Sequence, residues 1–381
     1  MEKDTHTQQD VSHCPVCDKP NLIAIDFPKT RCMRSDGLLI SEPLMKYHCS
    51  NCGSLIGNNS QPEARYQRSQ GNSPYDLTRH KTVADGLARC IEKQTTIVNP
   101  KVLEVGAANF QTAIHLKKIM PEYLVSALER HPEYIPDASE ISIIIDDFFN
   151  YRVSEHFDVV FSNQVIEHFS NPTDFLKCAG NLVSNIGVVI ACCPTYSRVS
   201  NELLFADHLF HFTVEAMSIC ATNAGLQLTS EFVSDWDPLT HVYIFHRTSQ
   251  SKLTIRKNSV GDEHLSLLNN RRELLSIWLK EDDRIYELLS NTSKVSIYGA
   301  GEFTQLIRAY MPKVWSRIDR LIVDTMDGVR EFDRPVFPLV DIPINESEVF
   351  LIGAHKTSRL AINNKLIKSG VPSRNIIEFA V

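Results

Sequence analysis

The chain has 381 residues, too many for one ordinary hydrophobic core, so two or three domains are expected. Its 43% hydrophobic and 22% charged residues exclude wholesale disorder. A net charge of -7 argues against nucleic acid as the main partner, because phosphate binding wants a basic surface.

The opening residues, MEKDTHTQQD, lack the apolar stretch of a secretion signal. No apolar run of the roughly eighteen residues needed to span a bilayer occurs, so no membrane segment is expected. The expected location is the cytoplasm. There the 10 cysteines stay reduced, and paired cysteines indicate a metal site before they indicate disulfides.

Residues 1–58 hold two CxxC pairs, Cys14 with Cys17 and Cys49 with Cys52. A CxxC turn bends two thiolates toward one point, and two such turns supply the tetrahedral sulfur set that zinc prefers. Gly53 is available for the turn after the second pair. Four protein ligands leave no open position, so the expected zinc is structural. His13 and His48 lie beside these cysteines, while Cys32 and the remaining five read as packing residues. The polar stretch NNSQPEARYQRSQGNSPYD then reads as a linker.

Residues 78–247 alternate short apolar strands with helical segments, the pattern of a parallel α/β sheet. Strands are expected at KVLEV, YLVSALE, ISIIID, FDVVFS and VVIACC, and again at LQLTSEFV and HVYIFH. The last two follow each other without a helix between them and suggest an antiparallel pair closing the sheet. Before that pair, Thr213 is a good N-cap, Glu215 falls in the first turn and Gly225 closes a helix.

A second polar linker, SQSKLTIRKNSVGD, leads to residues 262–381. A long helix is expected over Glu263–Ser290, followed by KVSIYGAGEFTQLIRAY and the strands RLIVD, SEVFLIG and IIEFAV. This block repeats the strand, glycine turn and helix plan. Gly299 and Gly301 are present, Thr304 stands where a third glycine would complete the turn, and Asp324 ends the next strand. A partial GxGxxG of this kind serves either a nucleotide or a purely structural appendage.

In the middle block, Glu104 and Gly106 end the first strand at the switch point where open parallel sheets bind ligands. Ala108 and Phe110 occupy the later positions of the usual glycine loop. Glu129 ends the second strand, about 20 residues on, where an acid can accept ribose hydroxyls. Asp146, Asp147 and Phe148 follow the third strand and suit an adenine amino group and ring. The fourth ends in Ser162, Asn163 and Gln164, then Glu167 and His168. The loop lacks the full GxGxxG that a pyrophosphate wants, so S-adenosylmethionine is preferred over a dinucleotide.

VLEVGAANF, ALERH, IDDFF and FDVVFSNQVIEHFSNPTDFL together resemble the class I S-adenosylmethionine-dependent methyltransferases. The resemblance implies a Rossmann-like core in which Glu104, Gly106 and Ala108 face the methionine portion and Glu129 the ribose. Asp147 and Phe148 would contact the adenine, and Asn163 would lie along the same edge.

The whole chain resembles a narrower group, the three-domain, zinc-containing deoxysugar C-methyltransferases that act on nucleotide-linked ketosugars. An N-terminal zinc ribbon, the methyltransferase core and a C-terminal Rossmann-like domain are what that resemblance implies. Those enzymes carry a Tyr-x-Glu-His segment that removes a proton beside a ketone; here it reads Phe205, Ala206, Asp207, His208. His208 becomes the expected base, Asp207 its orienting acid, and His168 and His211 competing bases. Phe205 would touch the acceptor, while Gly299, Gly301 and Glu302 would hold the nucleotide-sugar. The tyrosine hydroxyl is absent, so O- or N-methylation of another small molecule stays open, as does a non-catalytic nucleotide-binding protein.

Overall fold

A computed structural model describes residues 12–27, 31–58, 74–132, 135–153, 155–248, 260–326, 329 and 332–381. They group into two compact units. The first comprises Met1–Ala24, Lys46–Ser200 and His208–Leu268; the second comprises Ile25–Met45, Asn201–Asp207 and Asn269–Val381. Residues 1–58 are thus divided: both CxxC pairs group with the first unit and the excursion between them with the second. Of the expected linkers, residues 59–73 and 249–259 lie outside the described residues.

The N-terminal strands are β1 (Leu22–Ile25), β2 (Cys32–Met33), β3 (Leu39–Ile40), β4 (Lys46–Cys49) and β5 (Leu55–Gly57). After them, α1 (Pro74–Gln94) begins inside the stretch read as linker. The central elements are β6 (Lys101–Val105), α2 (Gln111–Ile119), β7 (Leu124–Glu129), β8 (Ser142–Ile145) and β9 (Phe157–Asn163). They continue as α3 (Pro172–Leu182), β10 (Val183–Pro194), β11 (Phe210–His211), α4 (Val214–Asn223), β12 (Leu226–Val233) and β13 (Thr240–Arg247).

Seven of these strands form one sheet in the order β12-β13-β10-β9-β6-β7-β8. β10, β9, β6, β7 and β8 run parallel, and β13 pairs antiparallel with both β10 and β12. The expected antiparallel closing pair is present. Residues of alternating parity feed two cores, one on each face. Leu103, Val105 and Val160 lie in one, and Val102, Val159 and Phe161 in the other. A parallel strand covered on both faces reads as a continuous apolar run, which is why FDVVFS was legible. At the sheet edge β12 alternates between covered and open residues, as a strand with one covered face must.

The order reverses at β6: the chain leaves it toward β7 and β8, then returns to its other side at β9. The crevice at the carboxyl ends of β6 and β9 is therefore where such a sheet accepts a ligand. A smaller sheet, β1-β4-β5-β11, pairs β4, which ends in Cys49, with β5, and β5 with residues Phe210–His211.

In the second unit β2 pairs with β3. The C-terminal elements are α5 (Val260–Leu288), β14 (Val295–Tyr298), α6 (Glu302–Tyr310), α7 (Pro312–Arg317), β15 (Arg320–Val323) and β16 (Val336–Pro338). β17 (Val349–Ile352), α8 (Lys356–Lys368) and β18 (Ile376–Ile377) complete them. The sheet is parallel throughout, in the order β16-β15-β14-β17-β18, and its switch point lies at the end of β14. Tyr310 ties this sheet's first helix to the excursion: its hydroxyl accepts from the Met33 N–H at 3.2 Å and donates to the Leu204 carbonyl. Among the described residues no helix is long and apolar enough to cross a membrane.

Candidate active site and metal centre

Gly106 follows β6 with φ +73, and its N–H donates to the Leu128 carbonyl at 2.9 Å. A β-carbon there would lie 2.8 Å from the Val165 side chain, so the turn after β6 is seated directly on the segment after β9. Ala108 and Phe110 adopt φ +56 and +62. Both non-glycine residues keep the left-handed backbone that glycines would supply, at a cost of about 1–3 kcal/mol each. The loop therefore retains its shape although two expected glycines are missing. Phe110 is fully buried in the core beneath the loop, which offsets part of that strain.

Two acids bracket this turn. Glu104 is buried at 4% exposure, next to the first turn of α2, where the Ala113 N–H bonds its carboxyl group. One of its carboxyl oxygens is buried without a hydrogen-bond partner. Desolvation by burial, reinforced by the Glu129 charge, pushes its pKa up to about 8. Glu129 is half-buried and accepts from the Ala108 N–H at 2.8 Å and the His131 N–H at 3.2 Å. Its carboxylate thus lies on the same edge as the Gly106 turn.

The residues after β8 are arranged differently from one another. Asp147 accepts from the Phe149 N–H at 2.9 Å and faces Arg130 at 3.2 Å. Phe148 turns into the core, 6% exposed, with its ring centroid 4.9 Å from that of Phe175. That ring is part of the packing against α3. Asn163 is half-buried at the end of β9.

Just beyond β9, Ile166–His168 form a 3-10 turn with Glu167 fully buried. His168 meets His208 edge to face, ring centroids 4.8 Å apart, and His211 lies 5.8 Å from His208. One carboxylate oxygen of Glu167 and one ring nitrogen from each of His168 and His208 lie within 4.8 Å of one another. Burial, and then the charges of His168 and Lys46, hold His208 well below the usual imidazole range. It is a neutral imidazole at physiological pH. Asp207 has its own partners: its two carboxylate oxygens accept from the Ser35 N–H and hydroxyl, each at 2.7 Å. Phe205 is 2% exposed and its backbone bridges to Met33.

A further pair escaped the sequence reading. The register of β12 and β13 places His241 diagonal to Glu231, and their side chains meet at 2.7 Å. Tyr196, just after β10, has its ring 5.5 Å from His241, and burial pushes its hydroxyl up to about 12.

The four cysteines converge. Cys14 and Cys52 sulfurs are 3.7 Å apart, Cys17 and Cys49 sulfurs 3.6 Å apart, and all four lie within 4.8 Å of one another. A tetrahedral zinc with bonds of about 2.3 Å needs sulfurs about 3.8 Å apart, so the set fits that ion. Gly53 turns the second knuckle at φ +69, its N–H donating to the Cys49 carbonyl at 2.8 Å. Mutual hydrogen bonds raise the pKa of Cys14 and Cys52 and lower that of Cys17 and Cys49. Four thiolates brought this close repel one another, and a divalent ion bound among them would relieve that repulsion.

In the second unit Gly299 has φ +114, and a β-carbon there would lie 2.5 Å from the Gly353 carbonyl oxygen. Thr304 is not a neutral replacement for glycine, since its hydroxyl bridges the Gly299 and Gly353 carbonyls at 2.9 and 3.1 Å. Glu302 pairs with His355 at 3.2 Å, and Asp324 accepts from Tyr298 and Lys365. Asp324 and Lys365 line a cavity of about 350 Å³ with Leu339, Ile342 and Ile344.

Residues 75–231 match the family model described as a methyltransferase domain. A Rossmann-like methyltransferase core is what the sheet order, the Gly106 turn and this match define together. The match covers less than half of the chain, and it is to a domain of that description. Comparison with the curated proteins gives no match. Among solved structures, the mitomycin 7-O-methyltransferase MmcR aligns at 12% identity over 46% of this chain and 54% of that one, with a TM-score of 0.37. CalO1, a methyltransferase in calicheamicin biosynthesis in its SAH-bound form, aligns at 14% identity with the same coverages and a TM-score of 0.37. An S-adenosylmethionine-dependent methyltransferase from Clostridium acetobutylicum aligns at 12% identity over 44% and 92% of the two chains, with a TM-score of 0.36. The alignment thus spans about half the length of each of the first two structures.

Proposed function

We propose that the chain is an S-adenosylmethionine-dependent methyltransferase that methylates carbon beside the ketone of a nucleotide-linked sugar, with His208 as the base and a structural zinc at Cys14, Cys17, Cys49 and Cys52. The observation that supports it most is the contact of the Gly106 turn with Val165. It sets the acids Glu104 and Glu129 and the Glu167, His168, His208 cluster along one sheet edge.

S-adenosylmethionine supplies a methyl group already activated on a sulfonium, so the protein has to align the acceptor and take its proton. Glu104 suits the amino group of the methionine portion, because its buried carboxyl regains charge next to a cation. Glu129 suits the ribose hydroxyls, and Asp147 the adenine amino group. Phe148 supports that pocket from within the core, where it packs on Phe175. Neutral His208 takes the proton next to the ketone, and Glu167 offsets the positive charge that its ring then carries. The Gly299–Gly301 turn and Glu302 are read separately, as a nucleotide-binding turn of the second unit.

Phe205 favours a second reading, O- or N-methylation of another small molecule, since a base suffices there and no hydroxyl is needed. Solvent-deuterium exchange separates the two. A ketosugar incubated with enzyme and S-adenosylhomocysteine in deuterated water gains deuterium beside its carbonyl if carbon is the nucleophile. No incorporation, with methyl transfer intact, would leave the second reading.

A further inference from the structure

The loop that carries His208 and His211 is held almost residue by residue by the segment bearing the second cysteine pair. Leu55 and Ile56 pair antiparallel with His211 and Phe210, and the Gly57 N–H extends the ladder to the Leu209 carbonyl at 2.7 Å. The ammonium of Lys46, 1% exposed, donates to the His208 carbonyl. At the far end, the Thr213 hydroxyl donates to the Cys52 carbonyl and also accepts from the Ala216 N–H at 3.1 Å, capping α4. Gly53 leaves no room for a side chain: a β-carbon would lie 2.8 Å from the Thr213 methyl and 2.6 Å from the His264 ring. Cys14, Cys49 and Cys52 belong to the same apolar cluster as Phe210, Phe212 and Met217.

We propose that the metal-loaded cysteine knuckles are the frame that positions the histidine loop, so that metal occupancy sets the orientation of His208. Lys46 and Thr213 are its positioning residues. The physical reason is direct. Strands of two to four residues cannot hold a register by themselves, and β4, β5 and β11 are all of that length. Cross-linking Cys49 and Cys52 to Cys14 and Cys17 fixes the turn between β4 and β5, and with it the row of donors and acceptors that the loop reads. The proposed cofactor acids lie on β6, β7 and the loop after β8, and they bond to Ala113, Ala108, His131, Phe149 and Arg130, none of which belongs to this ladder. Metal loss should therefore act on the acceptor side of the reaction and spare cofactor affinity. That consequence for turnover rests on His208 being the base; the positioning itself does not.

Hydrogen exchange on the full-length chain, before and after chelation of its metal, tests the frame. Amides of Leu209, Phe210 and His211 should exchange about tenfold faster or more without the metal, because local opening no longer breaks a braced ladder. Those of β6 and β7 should stay unchanged, and the dissociation constant for S-adenosylhomocysteine should move less than about twofold. If chelation also unfolded the N-terminal strands, Lys46→Met with the metal still bound supplies the second readout. It should lower kcat about tenfold or more with cofactor affinity retained, and Lys46→Arg should restore most of it. Unchanged exchange at 209–211 after complete metal removal would overturn the proposal, as would a Lys46→Met enzyme with full kcat. Faster exchange combined with full turnover by His208→Asn would instead discard the base assignment and leave the frame standing.

Discussion

His168 and His208 meet edge to face at 4.8 Å between ring centroids, and the carboxylate of Glu167 closes the group from within the core. The two histidines come from segments that follow different strands, β9 and β10, so the pairing exists only once the sheet has formed. Burial keeps His208 neutral, and neutrality is what a proton acceptor needs before the reaction begins.

Replacing His208 by Asn should lower kcat by about 10²–10⁴-fold, the range for loss of a positioned base, with S-adenosylhomocysteine affinity unchanged. Glu167→Gln should cost less and act mainly on kcat. The shift of His208 is downward, so the ring stays unprotonated below the ordinary imidazole pKa of about 6.5. The acid limb of kcat/KM should accordingly fall below that pH. An acid limb that survives unchanged in His208→Asn would assign the base to another group, with His241 next to Glu231 the first to examine.

Glu104 predicts a proton released when the cofactor binds. With its pKa pushed up to about 8 by burial, the free enzyme holds this carboxyl protonated at neutral pH. A bound ammonium favours the carboxylate, so binding at pH 7 should expel up to about one proton and tighten as pH rises toward 8. Calorimetry in two buffers of different ionisation enthalpy reads the proton directly. Glu104→Gln should abolish the release and weaken binding about tenfold or more, as loss of a charged hydrogen bond does. The same shift bears on stability with the opposite sign. The folded chain keeps a proton that the unfolded chain gives up above about pH 4.5, so this group's contribution declines as pH rises from there through 8. Its slope is at most about 1.4 kcal/mol per pH unit.

The strands were legible because burial on both faces leaves a mark that composition alone carries. KVLEV matches β6, LQLTSEFV matches β12, and Thr213 and Gly225 bound α4 as their chemistry requires. What stayed hidden depended on partners far along the chain. Phe148 sits beside Asp147 in sequence, while its ring packs on Phe175 of α3 in the core. Asp207 precedes His208 in sequence and is tied instead to Ser35, 172 residues away. Glu231 and His241 meet only through the diagonal register of an antiparallel pair. The short edge strand β16 lies in the apolar run VFPLV, but Pro338 within that run argues against a strand. Ala108 and Phe110 illustrate the converse: the identities departed from glycine while the backbone kept its left-handed form.

The stability of the C-terminal sheet should depend on one buried ion pair. Glu348 is fully buried just before β17, and Arg320 at the start of β15 grips its two oxygens at 2.8 Å each. Ser296 on β14 bonds both partners, accepting from the Arg320 Nε at 3.0 Å and donating to Glu348. Lys294 adds a second cation at 3.7 Å. Three neighbouring parallel strands are therefore pinned in register by one carboxylate. Glu348→Ala leaves the guanidinium buried without its counter-ion and should cost about 3–5 kcal/mol. Replacing both residues together by Met removes the buried charge along with its partner, and should recover most of that loss. Urea unfolding of a Trp236→Phe background, followed by tryptophan emission, reports on this unit, since Trp278 and Trp315 are buried within it. A double variant no more stable than Glu348→Ala would mean that the network's value lies in strand register. In that case charge compensation would not be what the pair contributes.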